Sequence, residues 1–127
     1  MKLDAYRAGA RASEHSIQVQ ILSYLYYRAT PGVFAVAIPN AGKRSGRMGA
    51  RMKEEGLTPG APDLCILLPE GKCAWMETKT AKGRQSDTQK GFQARCERIG
   101  HLYVIVRSLQ EAQSFLLTIK AIRPRPL

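Results

Sequence analysis

Acid is scarce relative to base in this 127-residue sequence: 10 Asp and Glu stand against 20 Lys and Arg, a net charge of +10. A surface so unbalanced repels itself, and it points to a polyanionic partner, most commonly nucleic acid. The excess is spread over residues 1–30, 31–70, 71–100 and 101–127 as +2, +1, +4 and +3, so it belongs to the folded surface and not to a basic tail. Long apolar runs are also missing. None approaches the roughly 20 residues of a membrane helix, which excludes a helical membrane anchor. The start, Met1-Lys2-Leu3-Asp4-Ala5-Tyr6, has no signal-peptide core. Cysteine is limited to Cys65, Cys73 and Cys96, an odd number with no Cys-x-x-Cys pair. That argues against a zinc ribbon or disulfide framework and for buried, reduced thiols in a reducing cytoplasm. No repeat or low-complexity stretch is present.

What is there suffices for one folded unit. Hydrophobic residues make up 44% of the chain and charged residues 24%, composition that suits a single domain over 1–127, with a core of about 13–118 and a C-terminal tail over 119–127. Ser13 caps a helix to Arg28 whose apolar stripe is Ile17, Ile21 and Leu25. Val33–Ile38 is a short β-prone run, followed by a glycine-rich basic loop, Asn40–Gly49, and a brief helix at Ala50–Glu55 closed by Gly56. Asp63–Leu68 and Cys73–Lys79 are expected to pair as a hairpin around Pro69-Glu70-Gly71-Lys72. Ser86 and Gln89 form a capping box that opens a helix ending near Gly100. Leu102–Val106 is a further strand, and Ser108 with Glu111 opens a last helix through Leu117. The order α-β-(α)-β-β-α-β-α is that of an α/β domain with a mixed β-sheet flanked by helices.

Two acids break the apolar strands. Asp63 opens one and Glu77 nearly closes the next, with Lys79 on the same side as Glu77 because alternate residues share a face. If Asp63 pairs across the hairpin near that end, two carboxylates converge beside an ammonium. Such an oxygen cluster suits magnesium, or manganese in its place. Held by Asp63, Glu77 and the main-chain carbonyl of Thr78, the ion would polarise a phosphodiester and acidify a bound water, while Lys79 would orient that water and stabilise developing charge. An exposed Glu77–Lys79 ion pair is the bland alternative. Trp75 shares the Glu77 face and is expected either to wall the site or to pack in the core.

Pro62-Asp63 followed by Glu77-Thr78-Lys79 resembles the PD-(D/E)XK nuclease signature. The flanks resemble its virus-type replication-repair branch, the VRR-NUC domain. The matching positions are Glu14 with Ile17-Gln18, Gly42, Gly56, Gly60, Pro62-Asp63-Leu64, Glu77, Lys79, Gly83, Ser86, Gln89, and Gly100 before Tyr103–Val106. They run from residue 14 to about 117. Ala61 stands where a second small residue, often glycine, is found, and Gln85 stands where an apolar residue often precedes the serine; neither departure falls on a ligand position. The resemblance implies a restriction-endonuclease-like fold with an αβββαβ core. It also implies that Glu14 helps to anchor the metal or its waters, against a plain helix-dipole acid. For Gln89 it implies contact with water or phosphate, in competition with the capping box.

A structure-specific, magnesium-dependent DNA endonuclease acting on branched DNA such as four-way (Holliday) junctions is the activity the resemblance implies. Small stand-alone members are typically phage-encoded, which would place this one in the cytoplasm of a bacterial host, and symmetrical cutting of two strands would require a homodimer. Lys43, Arg44, Arg47 and Arg51 of the basic loop are the candidates for holding the phosphate backbone, continued by Lys82, Arg84 and Lys90. Contacts of this type position DNA without reading its sequence. An inactive nucleic-acid-binding module and a restriction-type enzyme are the competing functions; intact Glu14, Asp63, Glu77 and Lys79 argue against the first, and the small size with no recognition insertion against the second. His15 and His101 stand alone, unlike a histidine-metal nuclease.

Overall fold

The computed structural model describes residues 13–39 and 46–124. It begins with helix α1, Glu14–Arg28, capped by the Ser13 hydroxyl, which accepts from the Ser16 amide at 3.0 Å. The four-residue spacing of Ile17, Ile21 and Leu25 buries all three on one side. Strand β1, Phe34–Ala37, is the edge of a four-stranded sheet of order β1-β2-β3-β4. Helix α2, Gly46–Glu54, leads to β2, Leu64–Leu67, which pairs antiparallel with β1 and with β3, Cys73–Thr78. Helix α3, Asp87–Arg98, crosses over to β4, Leu102–Val106, which lies parallel to β3, and α4, Leu109–Thr118, follows. The mixed sheet flanked by helices is the α/β arrangement expected from the sequence.

Alternation along the strands divides the molecule into two layers. Leu64, Ile66, Ala74, Met76 and Val106 point to the α1–α4 side, where they form one cluster with Ile17, Ile21, Leu25, Ala112 and Leu116. Trp75 points the other way, towards α3, and meets Phe92 edge-to-face at 5.4 Å between ring centroids. It therefore packs under α3, outside the main core.

Two boundaries differ from the sequence reading. The expected Asn40–Gly49 loop ends early, because Gly46–Gly49 are already helical. Gly46 and Gly49 lower the helix propensity of this turn and so hide it in the sequence. The expected tail over 119–127 is in fact docked as far as Arg123. Ala121 and Ile122 are buried in the core, Ile122 bridges Ala29, and the Thr30 amide donates to the Ala121 carbonyl at 2.9 Å.

One glycine fixes how the β2 entry meets α3. Gly60 has φ +84°, and a Cβ there would overlap the Thr88 carbonyl in the first turn of α3. The backbone that delivers Pro62 and Asp63 thus runs directly against that helix end.

Candidate active site

Asp63 sits just before β2, following the buried Pro62. Its carboxylate is fixed by β3: Oδ2 accepts from the Thr78 amide at 2.7 Å and from the Thr78 hydroxyl at 2.9 Å. Leu64 pairs with Met76, so extending that register by one places Asp63 opposite Glu77. The hairpin expected from sequence does bring the two acids together.

Glu77 is 1% exposed, which is unusual for a carboxylate. The Tyr103 hydroxyl donates to its Oε1 at 2.9 Å, while Oε2 is buried without a hydrogen-bond partner. Burial pushes the Glu77 carboxyl above its ordinary value. The Tyr103 hydrogen bond and the nearby Lys79 charge oppose that rise, Asp63 adds to it, and Gln85 opposes it. Tyr103 is itself held well above the usual phenol range, first by burial and then by its bond to Glu77. Lys79 is also buried, with its amide on the Val106 carbonyl at 3.0 Å and its Nζ 3.9 Å from Glu14 Oε1 at the start of α1. Four expected residues, Glu14, Asp63, Glu77 and Lys79, therefore meet at one end of the sheet. The expectation of an exposed Glu77–Lys79 pair fails, because both side chains are enclosed.

The donor set fits a hard divalent cation. Two carboxylates stand together, and one has a buried oxygen with nothing to bind, which costs free energy unless a positive ligand takes it up. Asp63, Glu77 and the Thr78 carbonyl would be the protein ligands, a small number that suits magnesium, which retains several waters. Among the described residues no group of three or more His, Cys, Asp or Glu is gathered closely enough to hold a metal. Glu14 is accordingly seen as the partner of Lys79, not in a shell of carboxylates.

Other expected residues lie elsewhere. Of the two roles expected for Gln89, the cap is the one observed: its Oε1 accepts from the Ser86 amide at 2.8 Å, and its own amide donates to Ser86 Oγ at 3.2 Å. Lys43 and Arg44 lie outside the described residues. Arg47, Arg51, Lys82, Arg84 and Lys90 are all exposed, and Arg51 spends its charge on Glu55 at 3.2 Å. His15 is an exposed helix residue.

Sequence reasoning missed three residues around the site. The sequence puts Tyr103 on a strand and assigns it no role. Gln85, one of the two departures from the family pattern, donates from Nε2 to Gln93 Oε1 at 2.9 Å and to the Tyr103 hydroxyl at 3.4 Å. Arg107 clamps the β3–α3 loop through two 2.7 Å bonds to the carbonyls of Thr80 and Gly83. The period-two pattern of β4 puts Tyr103 on one face, but only the parallel register of Trp75 with Tyr103 brings it beside Glu77.

No family model and no curated protein matches the sequence. Solved structures do match in shape. One, a "VRR_NUC domain protein", is 16% identical with a TM-score of 0.69, over 85% of this chain and 88% of that one. A second, a "VRR_NUC domain", is 18% identical with a TM-score of 0.59, over 84% of this chain and 97% of that one. Over most of its length the chain has the fold of the VRR_NUC domain, as its ordered series of motif residues implied.

Proposed function

We propose that the protein is a metal-dependent nuclease that hydrolyses phosphodiester bonds in DNA, and that branched duplexes such as four-way junctions are its substrates. The observation that carries this reading is the convergence of Asp63, the partnerless Glu77 Oε2 and Lys79 at one end of the sheet. Magnesium or manganese bound there would polarise the phosphodiester and acidify a water. Thr78 holds Asp63 in place through two hydrogen bonds, and Tyr103 holds one oxygen of Glu77. Lys79, steadied by Glu14, orients the attacking water and meets the charge that develops on phosphate. The VRR_NUC neighbours support a nuclease, and the net charge of +10 supports a polyanionic substrate.

Exposed Arg47, Lys82, Arg84 and Lys90, together with Lys43 and Arg44, would track the phosphate backbone. One site per chain and two strands to cut make a homodimer the assembly we propose. No helix among the described residues is long and apolar enough to cross a membrane, and the three free thiols agree with a reducing cytoplasm.

The test is cleavage of an end-labelled four-way junction and a linear duplex of the same sequence, with magnesium or with chelator. The wild type should cut the junction only with metal, and Glu77→Ala and Lys79→Ala should not cut. Equal cutting of both DNAs would leave a nuclease without structure selectivity. Binding without cutting in any metal would make the chain a binding module.

A further inference from the structure

We infer that Tyr103 is the positioning residue of the Glu77 carboxylate: it pins Oε1 and so leaves Oε2 as the oxygen offered to a divalent cation. The inference rests on the nuclease reading above and names a part of its site that the motif residues do not include. A carboxylate on an unbranched side chain can rotate to offer either oxygen, and a buried one turns to whatever donor is nearest. Here the donor is fixed. Tyr103 belongs to β4, in register with Trp75 on the neighbouring strand, so its ring lies along the same face as Glu77. Its hydroxyl donates to Oε1 at 2.9 Å.

The tyrosine is in turn held from α3. Gln93 Oε1 accepts from Gln85 Nε2 at 2.9 Å, and the same Nε2 lies 3.4 Å from the Tyr103 hydroxyl, leaving the phenolic proton to point at Glu77. The chain Gln93–Gln85–Tyr103–Glu77 therefore ties a helix, a loop and two strands to one carboxylate oxygen. The other oxygen, Oε2, is the single buried side-chain polar atom among the described residues with no partner. A network built solely to bury an acid would satisfy both oxygens; this one satisfies Oε1 and leaves Oε2 buried without a partner. Outer hydrogen bonds of this kind orient metal ligands, and their loss typically weakens metal affinity by about 10- to 100-fold.

Manganese alone is the probe, titrated into the full chain and followed by calorimetry and by the spin-resonance signal of the free ion. The wild type should bind it, and Glu77→Gln should abolish that binding. Tyr103→Phe, which removes one oxygen and keeps the ring, should weaken affinity about tenfold or more while its circular dichroism stays that of the wild type. Raising manganese towards saturation should restore DNA cutting by the variant, which a merely structural defect would not allow. Gln85→Met, which leaves the tyrosine in place, should show a smaller loss in the same direction and serves as the test if Tyr103→Phe does not fold. If Glu77→Gln abolishes binding while Tyr103→Phe and Gln85→Met bind manganese as the wild type does, the role of Tyr103 is overturned and the nuclease reading stands. If the wild type binds no manganese, the nuclease reading falls and the inference falls with it.

Discussion

At the scale of single residues, Glu77 shows a conflict between stability and chemistry. A folded carboxyl held above its ordinary value destabilises the charged form, so the native state gains stability as pH falls through that raised value and loses it as pH rises. Replacing the charge should therefore help the fold. We expect Glu77→Gln to raise the melting temperature by about 2–5 °C in chelator while abolishing cleavage. Magnesium at ten times its dissociation constant should then stabilise the wild type by about 1.4 kcal/mol, read as a higher melting temperature, and leave the variant unchanged. Calorimetric scans with and without the ion check both expectations. Burial shifts two of the thiols in the same direction. Burial, reinforced by nearby Cys73, pushes Cys65 up to about 11, and burial raises Cys96 as well. Cys65 is therefore held as the unreactive thiol at pH 8. Alkylation at that pH should label the partly exposed Cys73 first, and Cys65 should react appreciably only above about pH 10; peptide mass mapping reads the order.

Among the elements, the β2–β3 hairpin holds the clearest local strain. Its turn runs Pro69-Glu70-Gly71, with φ of 65° at Glu70 and 71° at Gly71. Glycine adopts that region freely, but glutamate does so at a cost. Glu70→Asn should stabilise the protein by about 0.5–1 kcal/mol in urea unfolding, since asparagine is favoured in such turns. The exposed Lys72–Glu70 contact at 3.7 Å contributes too little to offset the gain. Gly60 is the converse case: Gly60→Ala forces a methyl into the Thr88 carbonyl and should cost several kcal/mol, with loss of Asp63 placement and of cleavage.

Strands β2 and β3, the caps at Ser13, Ser86 and Ser108, and the meeting of Asp63 with Glu77 were legible in the sequence because each is a local pattern: alternation, a capping box, a turn. The early start of α2 was hidden by Gly46 and Gly49, which suppress helix propensity. The docking of Ala121 and Ile122 was hidden because their partners, Ala29 and Thr30, lie about ninety residues away in the chain. Tyr103 and Gln85 were illegible for the same reason: their roles depend on which strand lies beside which.

On the scale of the whole molecule, charge and fold point the same way. A chain of +10 with exposed cations on α2, on the β3–α3 loop and on α3 should bind DNA through phosphates, with affinity falling linearly as the logarithm of salt rises. Replacing Lys82 and Arg84 together by alanine should reduce that slope by about 1–2, whatever the DNA sequence, as measured by fluorescence anisotropy. A slope unaltered by the double substitution would remove that loop from the interface. Above all, we propose that Asp63, Glu77 and Lys79 form one catalytic cluster. The most direct measurement is the single-turnover rate at which wild type and Lys79→Met cut a labelled four-way junction in saturating magnesium. We expect Lys79→Met to bind the junction and to cut it at least about 100-fold more slowly. Equal rates for the two proteins would contradict a catalytic role for Lys79 and break up the cluster.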